Sequence, residues 1–356
     1  MSEINKNRNH SLDGMRTVAI TLIVASHTGI LDQGGFGNAM FFCLSGFLSS
    51  IPFRQDVEST YLSIKEIIKY YFNRIMRIIP TFWVVIAAVY FLTRTFFSGK
   101  INFIENMFFI DGYMHLWFLQ QQMLMYLMVP FIFLFILFVK KIFKFKYNDI
   151  LCAAILLLVA FLAHNFLTAD IFYLHGRGGP QQFRIGQFLI GMAFGYLYKA
   201  YKLSGIDLGK KVIVKGICEA LVISFMLFAV VSSEHILKRL DSSFMGYYIG
   251  WEAPMLCTLL SGILILSLSI YPQGVFARFM SSRPITYIGE ISFIIYLVHM
   301  FLIRYLNFGN EITNFMGVYI VSICIACVIQ KLVEKPSIIF AKTKSLKAVV
   351  DYYKLL

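Results

Sequence analysis

An arginine and a histidine lie within one apolar stretch near the start of this sequence, Arg16 opening it and His27 following after TVAITLIVAS. Ionisable side chains in a membrane-embedded helix are costly and usually mark a functional path or site. Eleven residues at 3.6 per turn make almost three whole turns, so both side chains project from nearly one face, roughly 16 Å apart along the axis. Such a pair can bind an anionic ligand at the arginine and set its reactive group against a base at the histidine. The ordinary alternative is an interfacial arginine that snorkels and a histidine bonded to a neighbouring helix. Farther along, Arg74 and Arg77 stand three apart, on one face of any helix that carries them. Paired guanidinium groups suit phosphate oxygens, because each offers planar, bidentate donors. Arginines at the cytoplasmic foot of a helix also arise from topology alone. Asp13, three residues before Arg16, can orient that arginine or stabilise a helix start.

Other residues form a second rank. Ser45 and Gly46 give the second apolar segment a small surface that admits a helix or a ligand, and Ser45 lacks the flanking glycines of a hydrolase elbow. His115 and Trp117 open the fourth segment, where they read equally as a solvated interfacial histidine and an aromatic-belt anchor. The run Gln120-Gln121-Gln122 lies inside that segment, so at least one amide should face the interior. His299 is a second intramembrane histidine, a type of residue more often hydrogen-bonded than catalytic. The segment Leu174–Pro180, with His175 and Arg177, reads as a flexible cationic outer loop.

The elements that hold these residues follow from composition. Of 356 residues, 58% are hydrophobic and only 14% charged, against about 25% charged in soluble domains. Mean hydropathy is +0.71. The sequence therefore predicts an all-α polytopic membrane protein. Ten apolar segments are candidate spans: 16–33, 38–53, 78–97, 115–139, 148–167, 183–199, 212–232, 251–271, 287–306 and 313–332. With the N-terminus inside, 25 of the 32 Lys and Arg residues fall on cytoplasmic segments, which predicts that both termini are cytoplasmic. The net charge of +13 is then topology plus anionic lipid, and no nucleic acid is needed. The organisation expected is a cytoplasmic segment at 1–15, a transmembrane domain at 16–336 and a short basic tail at 337–356. No cleavable leader is evident. The six cysteines read as small packing residues, and the Cys324-x-x-Cys327 pair has no partners for a metal. Gly191-x-x-x-Gly195 reads as a helix-packing motif.

Together the motifs resemble the acyltransferase-3 family of membrane acyltransferases. The resemblance rests on Ser11-Leu12-Asp13-Gly14-Met15-Arg16 leading to His27, on Phe41–Phe47, on Arg74-x-x-Arg77 before Ile79-Pro80, on Leu116–Leu119, on Ile291–His299, and on Glu334-Lys335-Pro336. They occur in the family's order over roughly 330 residues. The resemblance implies ten membrane helices in the cell (inner or plasma) membrane. It also implies an acyl group, commonly acetyl, moved from cytoplasmic acyl-CoA to a hydroxyl of a cell-surface or lipid-linked carbohydrate. Arg16 and His27 match the family's essential pair, and Arg74 and Arg77 match its RxxR. Where many members carry a glutamate in the fourth span, this chain has the amide Gln122.

These readings give an expected O-acyltransferase using acetyl-CoA or another acyl-CoA as donor, with no metal. Arg16, Arg74 and Arg77 would hold the donor's phosphates. His27, expected near mid-bilayer, would act as general base or carry the acyl group. Asp13, Ser45, Trp117, Gln122 and His299 are candidate supporting residues, some of them as oxyanion donors. The rival is a transporter or flippase for a saccharide or lipid without covalent chemistry, for which intramembrane Arg and His also serve. Against it stands the lack of repeated halves with paired broken helices.

Overall fold

A computed structural model describes residues 9–50, 62–93, 103–110, 114–144, 147–166, 173–176, 179–182, 184–231 and 254–355. Arg177 and the ends of several expected spans lie outside the described residues.

Each of the ten apolar segments contains a helix within its described part. The helices are α1 (Ser11–His27), α2 (Gly34–Ser50), α3 (Ile64–Thr93), the short α4 (Phe103–Met107), α5 (Trp117–Ile142), α6 (Asn148–Phe166), α7 (Ile185–Leu203), α8 (Val212–Val231), α9 (Pro254–Ile270), α10 (Val275–Met280), α11 (Arg283–Tyr305), α12 (Glu311–Ile329), α13 (Lys335–Thr343) and α14 (Leu346–Lys354). Among the described residues, five helical stretches are long and apolar enough to cross a membrane: Ile64–Leu92, Trp117–Ile142, Val212–Val230, Arg283–Tyr305 and Glu311–Thr343. Large apolar side chains such as Phe131, Phe138, Phe161 and Ile320 are exposed along these and neighbouring helices, a surface suited to lipid and not to water. The chain is a multi-pass membrane protein. Between α6 and α7, where the sequence reads as an outer loop, a two-stranded antiparallel hairpin pairs Tyr173–Gly176 with Gly179–Gln182, His175 opposite Pro180.

The bundle is closed by small residues, since lipid offers no hydrophobic drive for helices to associate and close packing must supply the attraction. On α2 and α7, Gly46 lies against the Phe188 carbonyl and Gly191 against the Cys43 carbonyl, so a Cβ at either would collide with backbone. Gly289 on α11 meets the backbone of Asp13 on α1 in the same way. These contacts set α2 on α7 and α1 on α11, the two helices that carry the histidines of interest. A second apolar cluster, including Ile78, Phe82, Leu119 and Leu297, ties α3, α5 and α11 together. Cysteines behave less uniformly than expected. Cys43, Cys152, Cys218 and Cys257 are buried, but Cys324 is exposed on the outside of α12.

Two helix ends depart from the apolar segments, and both departures matter for the site. Helix α3 begins at Ile64 and runs through Pro80, so Arg74 and Arg77 sit within a continuous helix and not in a loop before it. Apolarity alone misses this start because residues 64–77 are mixed in character. Helix α1 stops at His27, six residues short of its apolar segment. Gly29 has φ of 88°, its N–H donates to the Ser26 carbonyl and the Ile30 N–H to the Ala25 carbonyl. This Schellman arrangement ends the helix on a glycine that adopts the left-handed conformation freely. At the other end of the chain, α12 passes into α13 through a π-helical turn, Gln330–Glu334. Carbonyls of that turn accept from α14: the hydroxyl of Tyr352 donates to Lys331 O at 3.1 Å and that of Tyr353 to Leu332 O at 2.6 Å.

Candidate functional site

Helix α1 carries titratable side chains near both of its ends. At its start, Asp13 is buried and pairs with the Arg16 guanidinium one turn along, with the His10 imidazole 3.9 Å from the same carboxylate. On α3, Arg74 lies over the Tyr126 ring at 4.5 Å and the Tyr70 ring at 5.4 Å, a cation–π cradle from α5 and its own helix. Arg16, Arg74 and Arg77 line one cavity of about 1770 Å³, larger than the ~300–1,000 Å³ usual for small-molecule sites. Five lysines share its wall: Lys202, Lys210, Lys215, Lys335 and Lys342. Eight cations therefore face four carboxylates, those of Asp13, Asp207, Glu290 and Glu334, and the cavity favours a polyanion. The three arginines that the sequence offers as phosphate ligands thus line one cavity.

At the far end of α1 a histidine cluster forms. His27 Nδ1 is 2.9 Å from His299 Nε2, and the two rings stack at 5.1 Å and 15°. His299 is fully buried on α11, with Nδ1 2.7 Å from the Tyr296 carbonyl. A carbonyl only accepts, so His299 Nδ1 carries the proton and its Nε2, when the ring is neutral, is an acceptor. His27 Nδ1 must then donate. That leaves the lone pair of His27 on Nε2, and the ring is exposed. The geometry thus assigns His27 the tautomer of a base or nucleophile whose free nitrogen points away from its partner. The sequence placed His27 within an apolar segment, and in the structure the residue is exposed. It is the last residue of its helix, because Gly29 ends α1 there.

His115 is the residue that sequence reasoning missed. It is 4% exposed, so it is not a solvated interfacial residue. Its ring lies 5.0 Å from that of His299, its Nε2 donates to the Leu297 carbonyl at 3.1 Å, and its own carbonyl accepts from the Tyr296 hydroxyl. A sequence signal existed, since His115 directly precedes the Leu116–Leu119 motif. Trp117 holds the Arg184 guanidinium 4.9 Å over its ring, and Gln121 Oε1 accepts from the Arg184 backbone N–H at 2.9 Å. All three glutamines are buried. Gln120 Nε2 donates to the Ile110 carbonyl at 2.8 Å, and Gln122 Nε2 has no hydrogen-bond partner among the described residues. Ser45 lies one turn above Leu48, a cavity-lining residue, and with Phe41 forms a half-buried stripe along α2. The Phe41 ring is 6.0 Å from that of Phe118, which is 5.1 Å from that of Tyr296, so the stripe leads from the cationic cavity toward the histidines. The direct line along α1 is filled by Ile20 and Ile23, both fully buried.

A family model described as an acyltransferase domain, of the acyltransferase-3 type, matches residues 9–331. An O-acetyltransferase OatA of Staphylococcus aureus is 24% identical over 330 residues, covering 83% of this chain and 51% of that protein. A peptidoglycan O-acetyltransferase OatA of Listeria monocytogenes is 24% identical over 339 residues, covering 85% and 51%. The chain thus spans about half the length of the curated relatives it matches. No solved structure matches it.

Proposed function

The chain belongs to the acyltransferase-3 family, and on that premise we propose that it is an integral membrane O-acyltransferase taking an acyl group, acetyl by family frequency, from cytoplasmic acyl-CoA. The acceptor is a hydroxyl of a cell-surface or lipid-linked carbohydrate. The name of the Listeria relative points to a cell-wall glycan as the first class to try. In this reading the ten helical segments all cross the cell membrane and both termini are cytoplasmic. Residues 16–336 form the catalytic domain between a cytoplasmic segment, 1–15, and a basic tail, 337–356.

The observation that carries the reading is the span of α1. Arg16 and His27 are eleven residues apart on one helix, roughly 16 Å. An extended pantetheine arm has about thirteen bonds between diphosphate and sulfur, and at ~1.2 Å of reach per bond it also covers about 16 Å. Diphosphate oxygens held by Arg16, Arg74 and Arg77 would therefore deliver a thioester to His27. The stripe Leu48, Ser45, Phe41 on α2 offers the arm its route past the packed Ile20 and Ile23, which gives Ser45 the role of a small wall residue and not of a nucleophile.

In the transfer, the acceptor hydroxyl gives its proton to His27 Nε2 while its oxygen attacks the thioester carbonyl. The carbon–sulfur bond breaks, and the proton passes from His27 to the departing thiolate. Acyl transfer through an acyl-imidazole uses the same lone pair. His299 holds the tautomer that both routes require. Purified protein in nanodiscs, given acetyl-CoA and a membrane-glycan extract, should release free thiol, and His27→Ala should abolish that release. Equal release by wild-type protein and His27→Ala would refute the assignment of His27. Silence from folded wild-type protein with acetyl and longer acyl donors would favour a transport function.

A further inference from the structure

The cationic cavity contains two buried side-chain oxygens that no phosphate oxygen would satisfy. Gln330 and Glu334, four apart on the π-helical turn, both line it. They are only 4% and 5% exposed, and Gln330 Oε1 and Glu334 Oε2 have no hydrogen-bond partner among the described residues. A buried acceptor without a donor is costly, and π turns are rare and often occur at functional sites. Here the turn is also pinned in place by the two tyrosine hydroxyls of α14. The charged groups around Glu334 are Arg77, Lys335 and Glu290. Phosphate oxygens are acceptors, so they would compete with this pair for the same cations. An N–H donor would complete it.

We infer that Gln330 and Glu334 form an acceptor subsite that reads an N–H group of the acyl donor, beside the arginines that hold its phosphates. The inference rests on the acyl-CoA reading above. Coenzyme A offers such groups in two places, the exocyclic amine of adenine and the two amides of the pantetheine arm. The subsite makes a prediction whose sign opposes simple electrostatics. Removing the negative charge of Glu334 should tighten the binding of any polyanion in a cationic cavity. If Glu334 accepts a hydrogen bond from the ligand, the same change should weaken it.

The test is equilibrium binding to the full chain in nanodiscs, using coenzyme A, adenosine 3′,5′-bisphosphate and phosphopantetheine as probes. Glu334→Gln should weaken coenzyme A about tenfold, and Gln330→Met, which leaves the charge unchanged, about threefold. A loss repeated with the bisphosphate alone identifies the adenine amine as the group read. A loss repeated with phosphopantetheine alone identifies the arm amides. Unchanged or tighter binding of coenzyme A by both variants, with melting temperatures near wild type, overturns the subsite and leaves the donor reading standing. Wild-type protein that binds none of the three probes removes the donor reading itself, and the subsite with it.

Discussion

In the proposed reaction, the role of His27 depends on where one proton sits, and the neighbouring His299 fixes its place. With His299 Nδ1 committed to the Tyr296 carbonyl, only the tautomer with a free Nε2 fits the 2.9 Å contact between the rings. Loss of His27 itself should lower kcat by about 10²–10⁴-fold, the usual worth of general acid–base catalysis. The more diagnostic change is at His299. His299→Gln keeps an acceptor at the ε position and should retain part of the activity, whereas His299→Met removes it. Steady-state kinetics should then give kcat in the order wild type, Gln, Met, with KM for the acyl donor little changed. Equal loss in both variants would mean that His299 merely fills space. Ser45 separates wall from nucleophile in a similar way: Ser45→Ala should work near normally, and Ser45→Phe should block donor use. Single residues were partly legible in the sequence. The charge of Arg16, Arg74 and Arg77 and the histidine on α1 stood out against an apolar background, because such residues are expensive there. His115 did not, because a histidine at the edge of a span is ordinary until the ring of His299 is found against it.

The precision of that pair depends on the elements, above all on how α1 ends. Hydropathy carries the first span to residue 33, yet the helix stops at His27 because Gly29 turns the chain at φ of 88°. Apolarity measures what a segment dissolves in and says nothing about where its hydrogen-bond ladder closes. The Gly29 signal was present in the sequence, but a lone glycine in an apolar run is read as tolerated unless its φ is known. Gly29→Val should cost about 1–2 kcal/mol through a left-handed β-branched residue, and its added Cβ would also press on the Glu311 side chain at 3.3 Å. Because that strain sits two residues from His27, kcat should fall while coenzyme A still binds the cavity at the other end of α1. A matched loss of binding and turnover would place the damage in the fold as a whole. The close packing of α2 on α7, with Gly46 against Phe188 and Gly191 against Cys43, is a different kind of element property. The GxxxG spacing announced it correctly, and Gly191→Leu should destabilise the bundle by about 1–3 kcal/mol, seen as a lower melting temperature.

At the scale of the whole molecule, the two ends of α1 must open to different compartments for the proposed reaction to make sense. The cationic cavity, walled in part by Lys210, lies at one end of the bundle. At the other, Gly29 meets Glu311, so the start of α12 and His27 share a face. The basic residues of the sequence predict which face is inside and the helical rise separates Arg16 from His27, but only the packing of α1, α3 and α11 gathers Arg74 and Arg77 with Arg16 and sets His299 against His27. Substituted-cysteine labelling tests the arrangement. In a background with the six native cysteines replaced, Lys210→Cys and Ile312→Cys introduce thiols at exposed positions, Ile312 being 67% exposed and the Lys210 side chain 85%. A membrane-impermeant maleimide applied to intact cells should label Ile312→Cys at once and Lys210→Cys only after lysis. The reverse pattern would put the cation-lined cavity outside, beyond the reach of cytoplasmic acyl-CoA, and the three arginines would then be facing an external anion. Labelling of both positions in intact cells would mean that the segments between them do not all cross the membrane, and the route from cavity to histidine would lose its meaning as a path between compartments.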